Sequence, residues 1–440
     1  MRLRTSIIIY LIFGVFGCIH ASTAASNQQH IDEGFMTSLP TLINQDLSGK
    51  TVLVRVDLNV PMHDGVVTDT SRLVAIRNTV TYLLEHQAKV MLLSHFGRPK
   101  ASRNESEWDL KYSLKSLVKP LEQALDCSVQ FVNHYAGLRV QDALSTLPPK
   151  TVVLLENVRF APGEEDNNLY LAAQLAEHAN LYVNEAFSCS HRAHASIEAI
   201  THYLPSVAGF HFEREVRYLT KCLGNPRRPL MAIIGGSKVS TKLELLENLC
   251  QKVDILIIGG AMANTFLAAQ GVNIGDSLYE PDLLPTATKI LKMDKKATIV
   301  LPDDVVTAAD LKDSKGTAQS VNSVVKGQKI FDIGPKTSEK IASVLKRAET
   351  IIWNGPVGAF EYPAFAQGTI SVAKAMADCT GQALTVAGGG DTLSALKLAN
   401  VTDKLNYVST AGGAFLEWLE GKKLPGLEAL EKAKQQALTI

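Results

Sequence analysis

From Thr51 to the C-terminus, short β-branched apolar runs alternate with amphipathic stretches of helical period. Val52-Leu53-Val54-Arg55-Val56 reads as a strand and Arg72–Gln87 as a helix. Lys89–Ser94 is the next strand and Ser113–Leu125 the next helix, and Val152–Glu156, Leu169–His178 and Leu181–Val183 continue as strand, helix and strand. No other feature constrains the fold as much. Parallel strands need long crossovers, helices supply them, and the product is an α/β layer structure with a mostly parallel sheet. The rhythm restarts at Leu230, after a polar amphipathic helix at Glu213–Leu223 that Gly224-Asn225-Pro226 stops. A chain of 440 residues is too long for one ordinary core. The expected architecture is two Rossmann-like, doubly wound parallel-sheet lobes, residues 36–212 and 224–440 with a C-terminal tail, joined by an interdomain helix at 213–223.

In open parallel sheets, ligands sit beyond the carboxyl ends of the strands. In the N-terminal half those ends carry cations and hydrogen-bonding groups. They read Arg55-Val56-Asp57-Leu58-Asn59-Val60-Pro61, Ser94-His95-Phe96-Gly97-Arg98-Pro99, Glu156-Asn157-Val158-Arg159-Phe160 and Asn184–His194, the last containing His191-Arg192-Ala193-His194. Arg72 opens the first helix. One such arginine is an ordinary surface ion pair. Repeated at successive strand ends, they make a socket for a small polyanion, because guanidinium grips carboxylate and phosphate bidentately. No carboxylate or cysteine stands at ligand spacing from His95, His191 or His194 in the sequence, which argues against a metal there.

In the C-terminal half the strand ends carry glycine: Gly235-Gly236, Gly259-Gly260, Trp353-Asn354-Gly355-Pro356-Val357-Gly358, Gly388-Gly389-Gly390-Asp391-Thr392 and Ser409-Thr410-Ala411-Gly412-Gly413. Glycine lets backbone approach a bulky polar ligand, and a nucleotide with its phosphates fits. The stretch Gly235–Lys242, GGSKVSTK, lacks the Lys-Ser/Thr of the common phosphate loop. Spacing instead sets Lys238 and Lys242 on one helical face, one turn apart. Taken alone, it is either a phosphate site or a tight turn with two solvated lysines. Asp391, a carboxylate at a helix N-terminus beside phosphates, is where Mg²⁺ is held, and it can also cap the helix. No G-x-G-x-x-G follows a strand, which counts against a nicotinamide dehydrogenase. A cationic socket facing a nucleotide site describes a kinase for a small anionic metabolite.

The formal charge is zero, with 44 basic and 44 acidic residues, so nothing global points to nucleic acid or an anionic membrane. Six scattered cysteines without metal or disulfide-framework spacing suit a reducing compartment. The N-terminus conflicts with that. Arg2 and Arg4, the apolar run Ile7–Ile19 and the small residues Ala21–Ala25 follow the order of a secretory signal. The other reading is an upstream extension, with translation starting at or near Met36. The expectation is a cytoplasmic protein without stable membrane association; export through residues 1–25 is the alternative.

The motifs Arg55–Pro61, Ser94–Pro99, Glu156–Phe160, His191–His194, Gly235–Lys242, Trp353–Glu361, Gly388–Thr392 and Ser409–Gly413, in this order, resemble those of the phosphoglycerate kinases, in their bacterial-type form. The resemblance runs from about Met36 to the C-terminus. It implies a monomeric, bilobed enzyme that uses Mg²⁺ with ATP or ADP and interconverts 3-phosphoglycerate with 1,3-bisphosphoglycerate. It further implies that Asp57, Asn59, Arg72, His95, Arg98, Arg159 and Arg192 hold the acid substrate. Leu58, Phe96 and Gly97 lie in the same stretches, and His191 and His194 give support. Lys238 and Lys242 contact the nucleotide phosphates and the moving phosphoryl group, with Arg72 as the catalytic cation opposite. Asn354 and Pro356 line the nucleotide site, Glu361 takes the ribose, Gly389, Gly390 and Thr392 the phosphates, and Asp391 the Mg²⁺. The chain departs from the family pattern at Glu185 (usually Asp), Ser188 (usually Gly) and Ala411 (usually Gly). The competing readings are an exported binding protein or adhesin on the same fold and a kinase for another small acid.

Overall fold

The computed structural model describes residues 39–148 and 150–437, and the signal-like segment 1–35 lies outside them. Two six-stranded parallel sheets form the frame. The first runs, in spatial order, Ser128–Val132, Thr151–Leu155, Lys89–Leu93, Thr51–Arg55, Leu181–Asn184, Ser206–Ala208. The second runs Thr298–Val300, Ile255–Ile258, Leu230–Ile234, Thr350–Asn354, Leu384–Gly388, Tyr407–Ser409. Numbered along the chain, the second sheet has the order 3-2-1-4-5-6 of doubly wound nucleotide folds. Its central strands are buried over their whole length, as strands covered by helices on both faces must be.

Each sheet has a switch point at its first strand. In the first, the chain leaves Thr51–Arg55 toward Lys89–Leu93 on one side and later returns as Leu181–Asn184 on the other. In the second, Leu230–Ile234 lies between Ile255–Ile258 and Thr350–Asn354. Crevices beyond these two strands are therefore expected to bind ligands.

Several elements differ from the sequence expectation. The helix expected at Arg72–Gln87 is two pieces, Ser71–Ala75 and Arg77–Glu85, broken at Ile76. The strand Ser128–Val132 was not foreseen, nor was a small antiparallel sheet of Asp304–Ala308, Thr317–Ser320 and Lys329–Ile333. Its outer strand Thr317–Ser320 is mostly exposed and carries no apolar alternation to signal it.

The helix between the sheets runs Phe210–Leu223. Phe212 packs edge-on against Phe187 beside the first sheet, and Tyr218 stacks on Tyr407 of the second at 4.4 Å. Glu185 holds its N-terminus: the carboxylate accepts hydrogen bonds from the His211 and Phe212 amides and from the Thr79 hydroxyl. The final helix, Pro425–Ala437, packs on Ser206–Ala208 of the first sheet, and the Gly426 amide donates to the Ser190 carbonyl at 2.9 Å. The C-terminal tail thus returns to the N-terminal sheet.

Candidate active site

The ends of the first sheet's strands enclose a cleft of about 350 Å³ lined by Arg55, Asp57, Asn59, Arg72, His95, Gly97, Arg98, Arg159, His191, Arg192 and His194. Ala411, Gly412 and Gly413 of the second sheet's last strand end line the same cleft, so both halves contribute. An ion pair from Lys397 Nζ to Asp69 Oδ2 at 2.8 Å also joins them.

Inside the cleft the cations are pre-positioned. Arg72 Nη1 lies 2.9 Å from Asp57 Oδ2 and donates to the Asn59 carbonyl at 2.7 Å. Burial works against the Asp57 charge, but Arg72, the Ser188 hydroxyl and the Asn59 amide together hold its carboxyl below the usual range. Arg159 is buried and donates through Nη1 to the Gly97 carbonyl at 2.5 Å, while its Nε is buried without a partner. Arg192 Nε donates to His191 Nε2 at 3.1 Å. That nitrogen is then the acceptor, so the ring proton sits on Nδ1. Burial, reinforced by Arg55, pushes His95 down to about 3 and His194 to about 4, so both are neutral at physiological pH. Arg98 and Arg192 are exposed at the rim.

Two expected residues stand back from the cleft. Leu58 and Phe96 have their side chains in the core under the first sheet, in the loops that follow the strands Thr51–Arg55 and Lys89–Leu93. The expectation that no carboxylate or cysteine stands with the histidines also needs correction. Asp57, His95 and Cys189 place their ligand atoms within 4.8 Å of one another, a grouping that sequence distance concealed. Arg55 Nη2 sits 3.4 Å from His95 Nδ1 and Arg72 pairs with Asp57, so the guanidinium groups make this an anion socket rather than a cation site.

The departures at Ser188 and Glu185 have physical roles. Ser188 has no positive φ, and its hydroxyl donates to Asp57 Oδ2 at 2.5 Å. Glu185, pushed up to about 7 by burial, caps the helix between the sheets. Ala411 is buried, and its amide donates to the Ser409 hydroxyl at 3.2 Å.

At the second sheet's switch point, Lys242 Nζ donates to the Gly235 carbonyl and to Asn354 Oδ1, both at 2.7 Å. Burial pushes it down to about 8 against the pull of Asp391. Lys238 does not share a helical face with it. The helix starts only at Leu243, and Lys242 is its N-cap. The loop is held out of helix by buried Val239 and by Ser240, whose hydroxyl and amide both donate to Glu280. Lys238 is left exposed.

Glycine is required here. A Cβ on Gly235 would collide with the Pro356 carbonyl, and Gly389, at φ +101°, caps the helix Gly390–Leu398 and passes close to the Asn354 amide. Thr392 accepts from the Gly355 amide at 2.7 Å. Asp391 is exposed in that helix's first turn, and Glu361 is exposed in the turn after Thr350–Asn354. Beside this loop lies a small pocket, with room for little more than one water, lined by Gly260, Ala263, Asn264, Pro302, Val305, Ile330, Phe331, Asp332, Ile333 and Val357. Sequence reasoning missed it, because half its wall comes from the antiparallel sheet.

The phosphoglycerate kinase family model matches residues 42–422. The chain is 49% identical over 392 residues to the phosphoglycerate kinase of Rhizobium meliloti, covering 88% of this chain and 97% of that protein. It is 44% identical over 400 residues to that of Wolbachia sp. subsp. Drosophila simulans, covering 90% and 99%. The solved phosphoglycerate kinase of Coxiella burnetii superposes with a TM-score of 0.82 at 43% identity, over 91% of this chain and 100% of that one. That of Pyrococcus horikoshii gives 0.78 at 29%, over 90% and 100%. Nothing among these relatives supports a binding protein or adhesin. The arginine-lined cleft, the glycine-lined strand ends and these likenesses lead to one conclusion: the chain belongs to the phosphoglycerate kinase family, the phosphotransferases of glycolysis that use a carboxyl group as acceptor.

Proposed function

We propose that the cleft of the first sheet takes 3-phosphoglycerate and the switch point of the second takes ATP, with phosphoryl passing between them across the shared cleft. The observation that carries this reading is a buried, unpartnered donor, Arg159 Nε, in a cavity of guanidinium groups. Buried donors cost stability unless an acceptor arrives, and an oxyanion supplies one. Arg98 and Arg192 close the rim. Asp57 and Asn59 are the acceptors in this ring of donors, which suits the single hydroxyl of 3-phosphoglycerate.

The attacking group is the substrate carboxylate, already ionised, so no general base is required. Its oxygen attacks the terminal phosphorus of ATP, the bond from phosphorus to the ADP oxygen breaks, and an acyl phosphate forms. Catalysis is then in-line positioning and neutralisation of the moving group. We assign the neutralisation to Arg72 and Lys242, not to Lys238. Gly389, Gly390 and Thr392 face the phosphates, Asn354 and Pro356 line the site, and Glu361 accepts from the ribose. Asp391 would hold Mg²⁺, since it is an exposed hard carboxylate at a helix N-terminus, the donor type this ion takes. When bound, the ion neutralises phosphate charge. Closure of the cleft excludes water that would hydrolyse the acyl phosphate.

The enzyme acts as a monomer in the cytoplasm, where ATP and its acid substrate are supplied. No helix among the described residues is long and apolar enough to cross a membrane. Separate calorimetry of each substrate tests the division of labour. Arg159→Leu should weaken 3-phosphoglycerate by about tenfold or more and leave ADP unchanged, and Lys242→Ala should do the reverse. Equal losses for both ligands would overturn the assignment.

A further inference from the structure

Two polar side chains outside every sequence motif, Glu164 and Ser196, are buried behind the acid cleft at 1% and 0% exposure. The Ser196 amide donates to Glu164 Oε2 at 3.0 Å, and its hydroxyl donates to Oε1 at 2.6 Å. That second bond uses the hydroxyl's one proton, so its oxygen meets any further neighbour as an acceptor. The neighbour is Arg55, itself 1% exposed, whose Nε donates to Ser196 Oγ at 2.8 Å. Arg55 Nη1 donates to the Val56 carbonyl. These two anchors fix the plane of a rigid guanidinium fork, and they set Nη2 3.4 Å from His95 Nδ1.

Arginine only donates, so His95 Nδ1 is the acceptor. The Cys189 thiol, 3.8 Å from the same nitrogen, is then a second donor to it. The ring proton is therefore on Nε2, which has no protein partner among the described residues and belongs to a side chain lining the cleft. That N–H suits a substrate oxyanion. The other tautomer would turn a lone pair toward the cleft and repel one. An unrestrained imidazole takes both tautomers and ionises near neutral pH. Here burial and then Arg55 keep the ring neutral, Arg159 and Arg72 add to them, and Asp57 opposes. We infer that Glu164 and Ser196 are positioning residues for substrate binding: through Arg55 they fix His95 as the neutral Nε2–H tautomer, which donates to an oxyanion of 3-phosphoglycerate. The inference rests on the assignment of this cleft as the acid-substrate site.

Two measurements test it. The first is long-range proton–nitrogen NMR of the ligand-free enzyme labelled at histidine nitrogens, with His95 assigned by its loss in His95→Gln. From about pH 6 to 8, Nδ1 should report an unprotonated acceptor and Nε2 a protonated nitrogen. Ser196→Ala should bring in the other tautomer or a titration of the ring. A wild-type ring protonated at Nδ1 or titrating across this range overturns the inference without any variant, and so does a wild-type signature in Ser196→Ala. The second is calorimetry of 3-phosphoglycerate in a double-mutant cycle. Ser196→Ala and His95→Gln should each weaken binding by about fivefold or more, with Mg-ADP unchanged. The double variant should stay within about twofold of His95→Gln, because glutamine has no tautomer to set. Losses that multiply would mean that Ser196 acts by packing alone, and overturn the inference. The same cycle separates the two levels. If His95→Gln binds 3-phosphoglycerate as wild type does, the site assignment falls and this inference with it. If His95→Gln weakens binding but the losses multiply, only the inference falls.

Discussion

Lys242 should give the reaction an alkaline limit that an ordinary lysine would not. Burial holds it at about 8, against an ordinary value of 10.5. The sign follows from which form works. Transfer needs the ammonium, so activity is full below about 8 and falls tenfold per pH unit above it, since kcat/KM reports the free enzyme. At pH 10 about 1% of the plateau should remain, whereas a lysine at 10.5 would keep about three-quarters. The assay is initial-rate kcat/KM for Mg-ATP with saturating 3-phosphoglycerate, from about pH 6 to 10, with the coupling enzymes in excess throughout. Lys242→Arg should flatten the alkaline limb, because guanidinium stays charged, at whatever absolute rate its longer fork permits. Asp391→Asn removes the carboxylate that pulls the lysine upward, and should move the limb to lower pH. A wild-type profile flat to pH 10, or the same decline in Lys242→Arg, would refute the reasoning.

Ser188→Gly should raise the KM for 3-phosphoglycerate several-fold and leave the thermal midpoint nearly unchanged, since it deletes one hydroxyl bond to Asp57 at a position with no strain to relieve; steady-state kinetics with thermal melts checks this. Asp391→Asn should weaken Mg-nucleotide far more than 3-phosphoglycerate, and calorimetry of each ligand alone would show equal losses if the two sites were not separate.

The fold was readable because both sheets are built from buried parallel strands, whose apolar runs stand out between helical segments. Thr51–Arg55 and Leu230–Ile234 also lead directly into the residues that matter. Most of the arginine socket was readable for the same reason: cations at successive strand ends converge once the strands are parallel. Three things were hidden. Lys238 and Lys242 were set on one face by spacing alone, but Val239 takes a core position and Ser240 a bond to Glu280, and these tertiary contacts override local helical period. Leu58 and Phe96 lie inside site motifs yet point into the core, which position in a motif does not reveal. The pocket at Asn264 could not be seen, because its far wall is the antiparallel sheet, with Val305 and Ile330 facing a helix from the opposite side of the chain's path.

The central claim is that charge from one half of the molecule meets phosphate held by the other. Arg72 is its simplest probe: it is anchored to Asp57 and the Asn59 carbonyl, partly exposed at the cleft, and no part of the core. Turnover of Arg72→Ala, with Mg-ATP and 3-phosphoglycerate both saturating and folding checked by circular dichroism and thermal midpoint, measures that charge alone. The expected loss is about 10³- to 10⁵-fold with the fold intact. Turnover within about tenfold of wild type in a well-folded Arg72→Ala protein would contradict the account.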